Sequence, residues 1–388
     1  MRVLHIANTM DPASGGTATA AVTVAIAARR AGLDVTLAYP IDPAREAASA
    51  SFLAALKAEG VALQPFPLLR QAGRRAGPWA ISPALAGWLG REAGKFDLLH
   101  AHSVWVMSAV AAVRAANRAG KPILVMPHEG LTRYDMSHAT SRLLKAAKRP
   151  IRNWYLRHVD RWALSSDLEL RDSLFQEDPK ACVIPHPAFD ARIPAPPRPP
   201  RAEGRLTVGY LGRFHPKKNL NRLIQAIGRC PDGVRLRIAG GGEPDYEAEL
   251  KTLAENRGAA SRIEWLGFID ASRRTEFLTS LDLLAAPSTF ECFGLVAAEA
   301  LAAGTPVLLS PTVGVAEDIE NAGAGVIAPP RDDAIAVAMI RLLEDPAALA
   351  ALQSAARPTA ERLYSYDAHG AALRTQYEIM VGSNARSR

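Results

Sequence analysis

Short apolar runs alternate with alanine-rich helical stretches twice along this chain, and a proline-rich break separates the two series. In the first series, strand-like runs occupy 3–7, 34–39, 96–102 and 122–128. Helical patterns lie between them, across 18–31 and 104–119. This order is typical of parallel β-strands joined by crossover helices. We therefore expect an α/β fold in which helices cover both faces of a parallel sheet.

The same alternation restarts after residue 204. Strand-like runs recur at 205–214, 234–242, 263–269, 281–287, 306–310 and 325–329, and helical patterns occupy 219–230 and the segment from about 333. Between the two series, the segment IPAPPRPPRAEG (193–204) holds five prolines in twelve residues. Proline lacks an amide donor and fixes its own φ, so this segment is excluded from the interior of a sheet or helix. The break therefore predicts two domains joined by a semi-rigid linker.

The predicted domain boundaries follow from this break. The first α/β domain covers 1–193, the linker 194–204, the second α/β domain 205–365, and a C-terminal helix 366–388. Whether that last helix crosses back to the first domain is left open. Doubly wound, Rossmann-like sheets bind ligands at the carboxyl ends of their strands, so we expect a ligand in the cleft between the two halves.

The composition is that of an ordinary globular protein with an excess of positive charge. Apolar residues make up 48% of the chain, charged residues 22%, and the net charge is +7. Such an excess suits an anionic partner, although an arginine-rich composition explains it equally well. The cysteines, Cys182, Cys230 and Cys292, lie far apart, which indicates reduced thiols and a cytoplasmic location. The N-terminus has no long apolar region and no run of about 18 apolar residues follows, so we expect neither a signal peptide nor a spanning helix.

The stretch APSTFECFGLVAAEALAAGTP (286–306) places two carboxylates, Glu291 and Glu299, among apolar and small residues. A buried strand is predicted to stop at Pro287, and a helix to begin near Gly294. The start of a helix presents free amides that suit phosphate or sugar hydroxyls, and a glycine there lets a ligand approach. The spacing alone fits a helix-capping glutamate and a buried ion-pair glutamate at least as well.

Two longer patterns resemble one enzyme family. The pattern P-S-x-x-E-x-F-G-x-x-x-x-E-A-x-A-x-G-x-P-V (287–307) resembles the E-x7-E signature of retaining glycosyltransferases with the GT-B fold, most closely those of family 4. The segment YLGRFHPKKNL (210–220) resembles the G-R-x-x-x-x-K motif of the same family, which often has glycine at the position of Asn219. The resemblance covers 205–330 strongly and 1–135 loosely. It implies two Rossmann-like domains that face each other across a cleft.

The resemblance also implies roles for individual residues. Arg213 and Lys218 would bind the donor diphosphate, with Lys217 as an alternative cation, because fixed cations can neutralise a leaving nucleoside diphosphate. Glu291 would contact the sugar hydroxyls and Glu299 the ribose. The other donor-binding residues that it implies are Gly15, Gly16, Gly240, Gly267, Phe268, Phe293, Gly294 and Leu295. Without the resemblance, an Arg and a Lys five residues apart would be interpreted as a solvated face.

Several histidines lie at the ends of predicted strands. His128 stands where this family carries a histidine facing the donor sugar, so the resemblance assigns it to hydrogen bonding near the anomeric centre. His102 ends another strand and is a candidate for the acceptor side. We place His100 on the opposite face of that strand, in a structural role. His5 and His186 are assigned to the core or the surface.

The sequence shows no motif for a metal or a nicotinamide cofactor. It contains no D-x-D and no cluster of His and Cys, so we expect a metal-independent transferase that needs no cofactor. The glycines at 240–242 belong to no G-x-G-x-x-G, because Asp245 occupies the sixth position. This counts against a nicotinamide-dependent oxidoreductase.

One segment, SRLLKAAKRPIRNWYLRHVDRW (141–162), holds seven basic residues against a single Asp160. Pro150 is expected to kink or divide it. Basic residues with interleaved aromatics suit an anionic membrane surface, and the alternative is a solvated helix face with aromatics in the core. No nucleic-acid module is recognisable, so nucleic acid is not expected as a partner. The interleaved aromatics are Trp154, Tyr155 and Trp162.

The sequence thus predicts a retaining hexosyltransferase that uses a GDP- or UDP-sugar. Its expected acceptor is a cell-envelope polysaccharide or a lipid-linked saccharide, and its expected location is the cytoplasm, with peripheral attachment to the inner face of the plasma membrane as a further hypothesis. The resemblance implies that the leaving phosphate takes the acceptor proton. Two alternatives stay open: a nicotinamide-dependent oxidoreductase and a non-catalytic protein that binds a nucleotide sugar or a polyanion.

Overall fold

The computed structural model describes residues 1–42, 47–69, 81–138 and 142–386. The chain divides into two compact units, the first formed by Met1–Pro187 and Tyr366–Arg388 and the second by Ala188–Ser365. Residues 188–193, which the sequence assigns to the first domain, therefore lie with the second unit. So does the proline-rich segment, where Arg198 Nη2 donates to Gly304 O at 2.6 Å and to Thr305 Oγ1 at 2.7 Å. That segment is thus fastened to the second unit by a side chain.

The first unit is a seven-stranded parallel sheet in the order β3-β2-β1-β4-β5-β6-β7. Its elements, numbered in chain order, are β1 Arg2–Ile6, α1 Gly16–Arg30, β2 Asp34–Ile41, α2 Ala50–Ala58, β3 Ala62–Pro67, α3 Pro83–Glu92, β4 Leu98–His102, α4 Met107–Ala119, β5 Ile123–Met126, α5 Arg133–His138, α6 Arg142–His158, β6 Arg161–Leu164, α7 Asp167–Asp172, β7 Ala181–Val183 and α15 Tyr366–Arg386. Successive residues of β5 enter two different apolar clusters, Ile123 and Val125 in one, Leu124 and Met126 in the other. Because strand side chains alternate between faces, the sheet carries a core on each side.

The second unit repeats this plan with six parallel strands in the order β10-β9-β8-β11-β12-β13. Its elements are β8 Leu206–Leu211, α8 Leu220–Arg229, β9 Val234–Ala239, α9 Pro244–Asn256, β10 Ile263–Gly267, α10 Ala271–Thr279, β11 Leu283–Ala286, α11 Leu295–Ala302, β12 Val307–Leu309, α12 Ala316–Asn321, β13 Gly325–Ile327, α13 Asp332–Glu344 and α14 Pro346–Tyr364. Leu283 and Ala285 of β11 face one apolar cluster, and Leu284 faces the other. The predicted pair of doubly wound α/β domains is confirmed.

The strand orders fix where each unit can bind a ligand. In the first sheet the order reverses between β1 and β4, and in the second between β8 and β11. Crossovers on the two sides of such a point lead away from each other and leave a crevice at the carboxyl ends of the strands. The sequence motifs follow these strands: Lys218 comes after β8, Glu291 after β11, and His102 ends β4.

The C-terminal helix α15 packs on α1 within the first unit. Arg374 Nη1 donates to Ala31 O at 3.0 Å. A Cβ added at Gly370 would lie 2.4 Å from Ala27 O, so the two helices approach so closely that only glycine fits at this position. The end of the chain is therefore part of the first core.

Residues Arg142–His158 of the basic segment form the single helix α6, which continues through Pro150, so the predicted division at this proline is wrong. Tyr155 and the following Trp162 are fully buried, and Trp154 packs against the same apolar cluster. The aromatics thus belong to the core, which is the alternative that the sequence left open. Ser141 lies outside the described residues.

A bilayer-spanning segment requires a long and strongly apolar helix. Across the described ranges of the chain, none of the helices combines the two properties.

Candidate functional site

The loop after β8 carries Arg213 and approaches the loop after β9 backbone to backbone. A Cβ added at Gly240 would lie only 1.9 Å from Gly212 O, and Gly240 has a φ of 138°, so glycine is required there. Phe214 N donates to Gly241 O at 2.8 Å. The carbonyl of Arg213 accepts from the Tyr210 hydroxyl at 3.0 Å, while its side chain is exposed. The loop is therefore rigidly held and leaves the Arg213 guanidinium available.

A single 3₁₀ turn, Pro216–Lys218, then leads into Asn219 and α8. Asn219 has a φ of 54°, in the left-handed region that glycine adopts freely and asparagine tolerates better than most residues. This explains how asparagine can replace the glycine that is common in similar sequences. Its Nδ2 also donates to Pro287 O at 2.9 Å and to Thr289 Oγ1 at 3.0 Å. Asn219 thereby ties the loop after β8 to the loop after β11.

Lys218 and Glu291 meet at the switch point of the second sheet. Lys218 Nζ lies 2.8 Å from Glu291 Oε1, and both side chains are largely buried. The Ser288 hydroxyl donates to the same carboxylate oxygen. Lys217 instead places its Nζ 5.5 Å from the centre of the Phe290 ring. Of the two neighbouring lysines, Lys218 is the one that contacts the predicted carboxylate.

The backbone around Glu291 is held by the segment after β12. Glu291 N donates to Thr312 O at 3.0 Å, and Gly314 N donates to Glu291 O at 2.9 Å. Gly294 begins α11 with a φ of 103°, and a Cβ there would lie 2.6 Å from Val313 Cγ1. Only glycine fits at position 294. The half-buried Leu295 follows it in the first turn of α11. The loop and helix N-terminus form one fixed unit.

Phe293, predicted among the donor-binding residues, places its side chain in the core. The ring is 3% exposed and packs edge-on against Tyr364 with 5.6 Å between ring centres. The burial of its apolar surface favours this inward position of the ring. Only the backbone of Phe293 is left to contact a ligand.

Glu299 lies inside α11, as predicted, beside Arg274 of α10. The Arg274 Nε and Glu299 Oε2 atoms are 2.9 Å apart, but their geometry gives an ion pair rather than an aligned hydrogen bond. Burial raises the pKa of the Glu299 carboxyl, and Arg274 lowers it only in part. Because Glu299 Oε2 has no aligned hydrogen-bond donor among the described residues, it keeps acceptor capacity for a hydroxyl donor.

The ends of β9 and β10 bring the remaining predicted residues of the second unit together. Gly240 N donates to Gly267 O at 2.8 Å, and Gly267 has a φ of 65°. Phe268 follows with its side chain 86% exposed. An apolar ring with this exposure is available to stack against a flat ligand.

In the first unit, His128 follows β5 in an unusual backbone conformation. His128 and Glu129 have φ values of 50° and 71°, which are costly for residues other than glycine. Glu169 of α7 holds this backbone, because its Oε1 accepts from Glu129 N at 2.8 Å and its Oε2 accepts from Ser165 N and Oγ, both at 2.6 Å. Burial raises the pKa of the Glu169 carboxyl, and these hydrogen bonds offset part of that effect.

His102 is fully buried, so it does not line an open acceptor cleft as predicted. Its Nδ1 lies 3.3 Å from His128 Nε2, and its Nε2 lies 3.4 Å from His5 Nδ1. The placement of His100 on the opposite face is also wrong. Residues two apart in a strand share a face, and the His100 and His102 rings stack with centres 4.4 Å apart. His186 stacks on His128 with ring centres 5.1 Å apart.

No short segment of the sequence contains a cluster of His and Cys, but the fold brings distant histidines together into one. Nitrogens of His5, His100 and His102 lie within 4.8 Å of one another. Burial lowers the pKa of His5 to about 3 and that of His128 to about 4, and it also lowers the pKa values of His100 and His102. These imidazoles are therefore neutral at physiological pH.

Gly15 and Gly16 begin α1 without a side-chain cap. Gly15 has a φ of 83°, and a Cβ added at either residue would meet nothing within 4 Å. The free amides of the first turn can therefore be approached by an anionic group.

The sequence motifs did not identify every residue that builds the site. The pattern around Glu291 includes Ser288, but no motif marks Arg274 or the Nδ2 bonds of Asn219. The S-x-x-E spacing of Ser166 and Glu169 signals a helix start, and Ser166 Oγ does accept from Glu169 N at 3.0 Å. That signal does not reveal the bond from Glu129, which depends on the fold.

Two sequence profiles match the chain. The profile of the glycosyl transferases group 1 matches residues 194–359, and that of the glycosyl transferase 4-like domain matches residues 15–187. A D-inositol 3-phosphate glycosyltransferase of Mycobacterium marinum is 28% identical over 309 residues, which are 75% of this chain and 65% of that protein. A phosphatidyl-myo-inositol mannosyltransferase of Mycobacterium leprae is 29% identical over 315 residues, 79% of each chain. The chain thus spans just under two thirds of the first relative's length.

Solved structures show the same fold. The Anabaena protein HepE, in complex with UDP and glucose, superposes with a TM-score of 0.74 at 20% identity, over 97% of this chain and 99% of that one. Sucrose-phosphate synthase from Thermosynechococcus elongatus gives a TM-score of 0.72 at 20% identity, over 99% of this chain and 100% of that one.

Proposed function

Because this chain belongs to family 4 of the glycosyltransferases, we propose that it moves a hexose from a GDP- or UDP-sugar to an acceptor hydroxyl with retention of the anomeric configuration. One observation carries the proposal. Lys218 and Glu291 meet at the switch point of the second sheet, 2.8 Å apart, where doubly wound sheets bind their ligands. A cation for phosphate and a carboxylate for sugar hydroxyls are thereby held side by side.

The proposed roles follow from the chemistry of each group. Arg213 and Lys218 bind the diphosphate and stabilise the charge that develops on it as the sugar leaves. Glu291 accepts hydrogen bonds from the sugar hydroxyls, and Glu299 accepts them from the ribose. His128, kept neutral by burial, hydrogen-bonds near the anomeric carbon.

The bond between the anomeric carbon and the phosphate oxygen breaks in this reaction, and the acceptor oxygen bonds to the same carbon on the same face. The acceptor hydroxyl proton passes to the departing phosphate oxygen. We propose that no metal takes part in the transfer, since two protein cations supply the positive charge that a bound cation supplies in other phosphate sites.

The acceptor is proposed from the activities that the relatives' names give. They act on D-inositol 3-phosphate and on phosphatidyl-myo-inositol, so both a free and a lipid-linked inositol phosphate belong in the first panel, beside the saccharides of the cell envelope. Peripheral attachment to an anionic membrane also stays a proposal. It is supported by the exposed Arg149 and Arg157 of α6 and by the net charge of +7. A cytoplasmic location is supported by the three cysteines, Cys182, Cys230 and Cys292, which lie far apart in the sequence.

A thermal-shift panel tests the donor site first. UDP, GDP, ADP, dTDP, CMP, NAD and NADP are added to the wild type and to Glu299→Ala and Arg213→Ala. A ligand at about 100 times its Kd stabilises by about 2.7 kcal/mol, which a melting curve resolves. We expect one nucleoside diphosphate to raise the melting temperature and both variants to lose the shift. A shift with NAD or NADP alone, unaffected by the variants, would overturn the proposal in favour of an oxidoreductase.

Transfer itself is then measured with the matching nucleotide sugar and the acceptor panel. Proton NMR of the product gives the anomeric configuration, and an inverted product would overturn the proposed stereochemistry. Nucleotide binding without turnover on any acceptor would favour the non-catalytic binding protein.

A further inference from the structure

We propose that His5, His100 and His102 form a binding site for a zinc or copper ion in the interior of the first unit. Their ring nitrogens lie within 4.8 Å of one another, and all three side chains are 0% exposed. None of the three has a role in the proposed donor site of the second unit, although His102 contacts His128.

The fold assembles the three histidines from two neighbouring strands. His5 of β1 lies directly opposite His100 of β4 in the parallel register. His102 is two residues further along β4 and therefore points to the same face as His100. Three imidazoles thus converge from sequence positions almost a hundred residues apart.

One nitrogen of each ring contacts Tyr377 or His128, and metal binding requires that this nitrogen carry the N–H of the ring, so that the other presents a lone pair. The Tyr377 hydroxyl oxygen lies 2.5 Å from His100 Nδ1 and 3.2 Å from His5 Nε2, and in this arrangement it accepts from both N–H groups. His102 Nδ1 is taken by His128. The remaining atoms are His5 Nδ1, His102 Nε2 and His100 Nε2, and the last has no hydrogen-bond partner among the described residues. Metal-binding histidines are oriented in this way, by a partner on the nitrogen that does not bind the ion.

The distance between two of these nitrogens fits coordination better than a hydrogen bond. His5 Nδ1 and His102 Nε2 are 3.4 Å apart, longer than the usual hydrogen-bond distance of about 2.9 Å. Two imidazole ligands at about 2.0–2.1 Å from a tetrahedral zinc ion are separated by about 3.3 Å.

The donor set also selects the kind of ion. Imidazole nitrogens suit zinc and copper, whereas Mg²⁺ and Ca²⁺ require oxygen ligands. The ligands are neutral, so the charge of the ion is brought into the interior uncompensated, which is costly. This favours a singly charged copper(I) ion, or a zinc ion that binds together with hydroxide.

Metal content tests the proposal directly. The full chain, without a polyhistidine tag, is produced in media supplemented with zinc or copper, dialysed, and measured by inductively coupled plasma mass spectrometry. We expect about one ion per chain. His100→Phe preserves the ring stack and removes a ligand, so its metal content should fall at least tenfold. His369→Phe is the matched control, since His369 is also a buried histidine of the first unit, bonded to Pro185 O at 2.7 Å.

A measurement on the wild type keeps the proposal testable if His100→Phe does not fold. X-ray absorption of the loaded protein should show an ion surrounded by imidazole nitrogens. Wild-type protein without bound metal after both supplements would overturn the proposal, as would equal metal content in His100→Phe and His369→Phe. Nucleotide binding by the second unit is unaffected by either outcome, so failure of this site is distinguishable from failure of the proposed function.

Discussion

Lys218 Nζ lies 2.8 Å from Glu291 Oε1, and this ion pair joins the loops after β8 and β11. The resemblance assigns the lysine to the donor diphosphate and the glutamate to the donor sugar. The two assignments are compatible because an ammonium group has three donors and can serve a carboxylate and a phosphate together. The pair therefore holds the group proposed to bind phosphate and the group proposed to bind sugar in one fixed arrangement.

Replacing Lys218 by Gln should reduce kcat by about 10²–10³-fold, because it removes a fixed positive charge from the leaving diphosphate. Lys217→Gln is the matched control, since Lys217 lies against the Phe290 ring and not against Glu291. We expect less than about a tenfold effect from it. Steady-state kinetics on both variants measures the difference. Equal losses would show that the two lysines act only through general positive charge.

Asn219 gives a prediction about backbone conformation. Asn219→Gly and Asn219→Ala both lose the two side-chain hydrogen bonds to the loop after β11. Only alanine must also adopt the φ of 54° with a Cβ that disfavours it. We expect the alanine variant to be less stable than the glycine variant by about 1–2 kcal/mol.

Urea unfolding of the two variants, followed by tryptophan fluorescence, measures this difference. The wild type should be more stable than both, since each lost hydrogen bond contributes about 0.5–1.5 kcal/mol. An alanine variant as stable as the glycine variant would contradict the left-handed conformation of residue 219.

The groups proposed to bind the donor in the second unit are easier to predict than those of the first unit because they are local in sequence. Lys218 and Glu291 each lie in a short loop directly after a strand, so a motif captures both the residue and its place in the fold. The cluster of His5 with His100 and His102 depends instead on which strands are neighbours. Strand order is not encoded in any short segment. Period-two alternation puts His100 on the same face of β4 as His102, contrary to the prediction.

The direction of side chains and their contacts between helices could not be predicted from the motifs either. Phe293 lies within the motif, but its ring turns into the core because burial of an aromatic surface is favourable. Arg274 comes from a different helix and reaches Glu299 only after α10 and α11 pack together. Neither feature leaves a periodic or spacing signal. Pro150 does not divide its segment, because α6 continues through it with an apolar face against the core.

Glu169 is a positioning residue for His128, because it holds the adjacent strained backbone at Glu129. Glu169→Gln keeps the shape but presents an amide donor among N–H groups, which leaves buried donors unsatisfied. We expect a loss of about 1–3 kcal/mol in the free energy of unfolding of the first unit. We also expect a lower kcat with an unchanged Kd for the nucleoside diphosphate, since the second unit is not altered.

Asp172→Asn provides the control for this prediction. Asp172 lies on the same helix, and its Oδ2 accepts from Tyr134 N at 2.9 Å, further along the chain from His128. Kinetics and calorimetric nucleotide binding on both variants separate the two effects. If Asp172→Asn lowers kcat as much as Glu169→Gln does, the loss reflects the stability of α7 and not the position of His128.

Glu299 gives a prediction about pH, because burial raises the pKa of its carboxyl above the ordinary 4.5 and Arg274 opposes this only in part. Between the unfolded and the folded pKa, the folded state keeps a proton that the unfolded state has lost. The contribution of Glu299 to the free energy of unfolding therefore falls as pH rises from the unfolded to the folded pKa, and it is constant at higher pH. Glutamine does not titrate, so the free energy of unfolding of Glu299→Gln should rise relative to that of the wild type from about pH 4.5 upward.

Urea unfolding of the two proteins at several pH values measures this difference. The exposed Glu344 on α13 provides a matched control through Glu344→Gln. The direction in which this stability difference changes with pH shows whether burial or attraction by Arg274 has the larger effect on the pKa of Glu299. If the wild type instead gains stability relative to Glu299→Gln as pH rises, attraction by Arg274 exceeds the cost of burial. Glu299 would then be held as a carboxylate by its ion pair, and a ribose hydroxyl would have to compete with Arg274 for it.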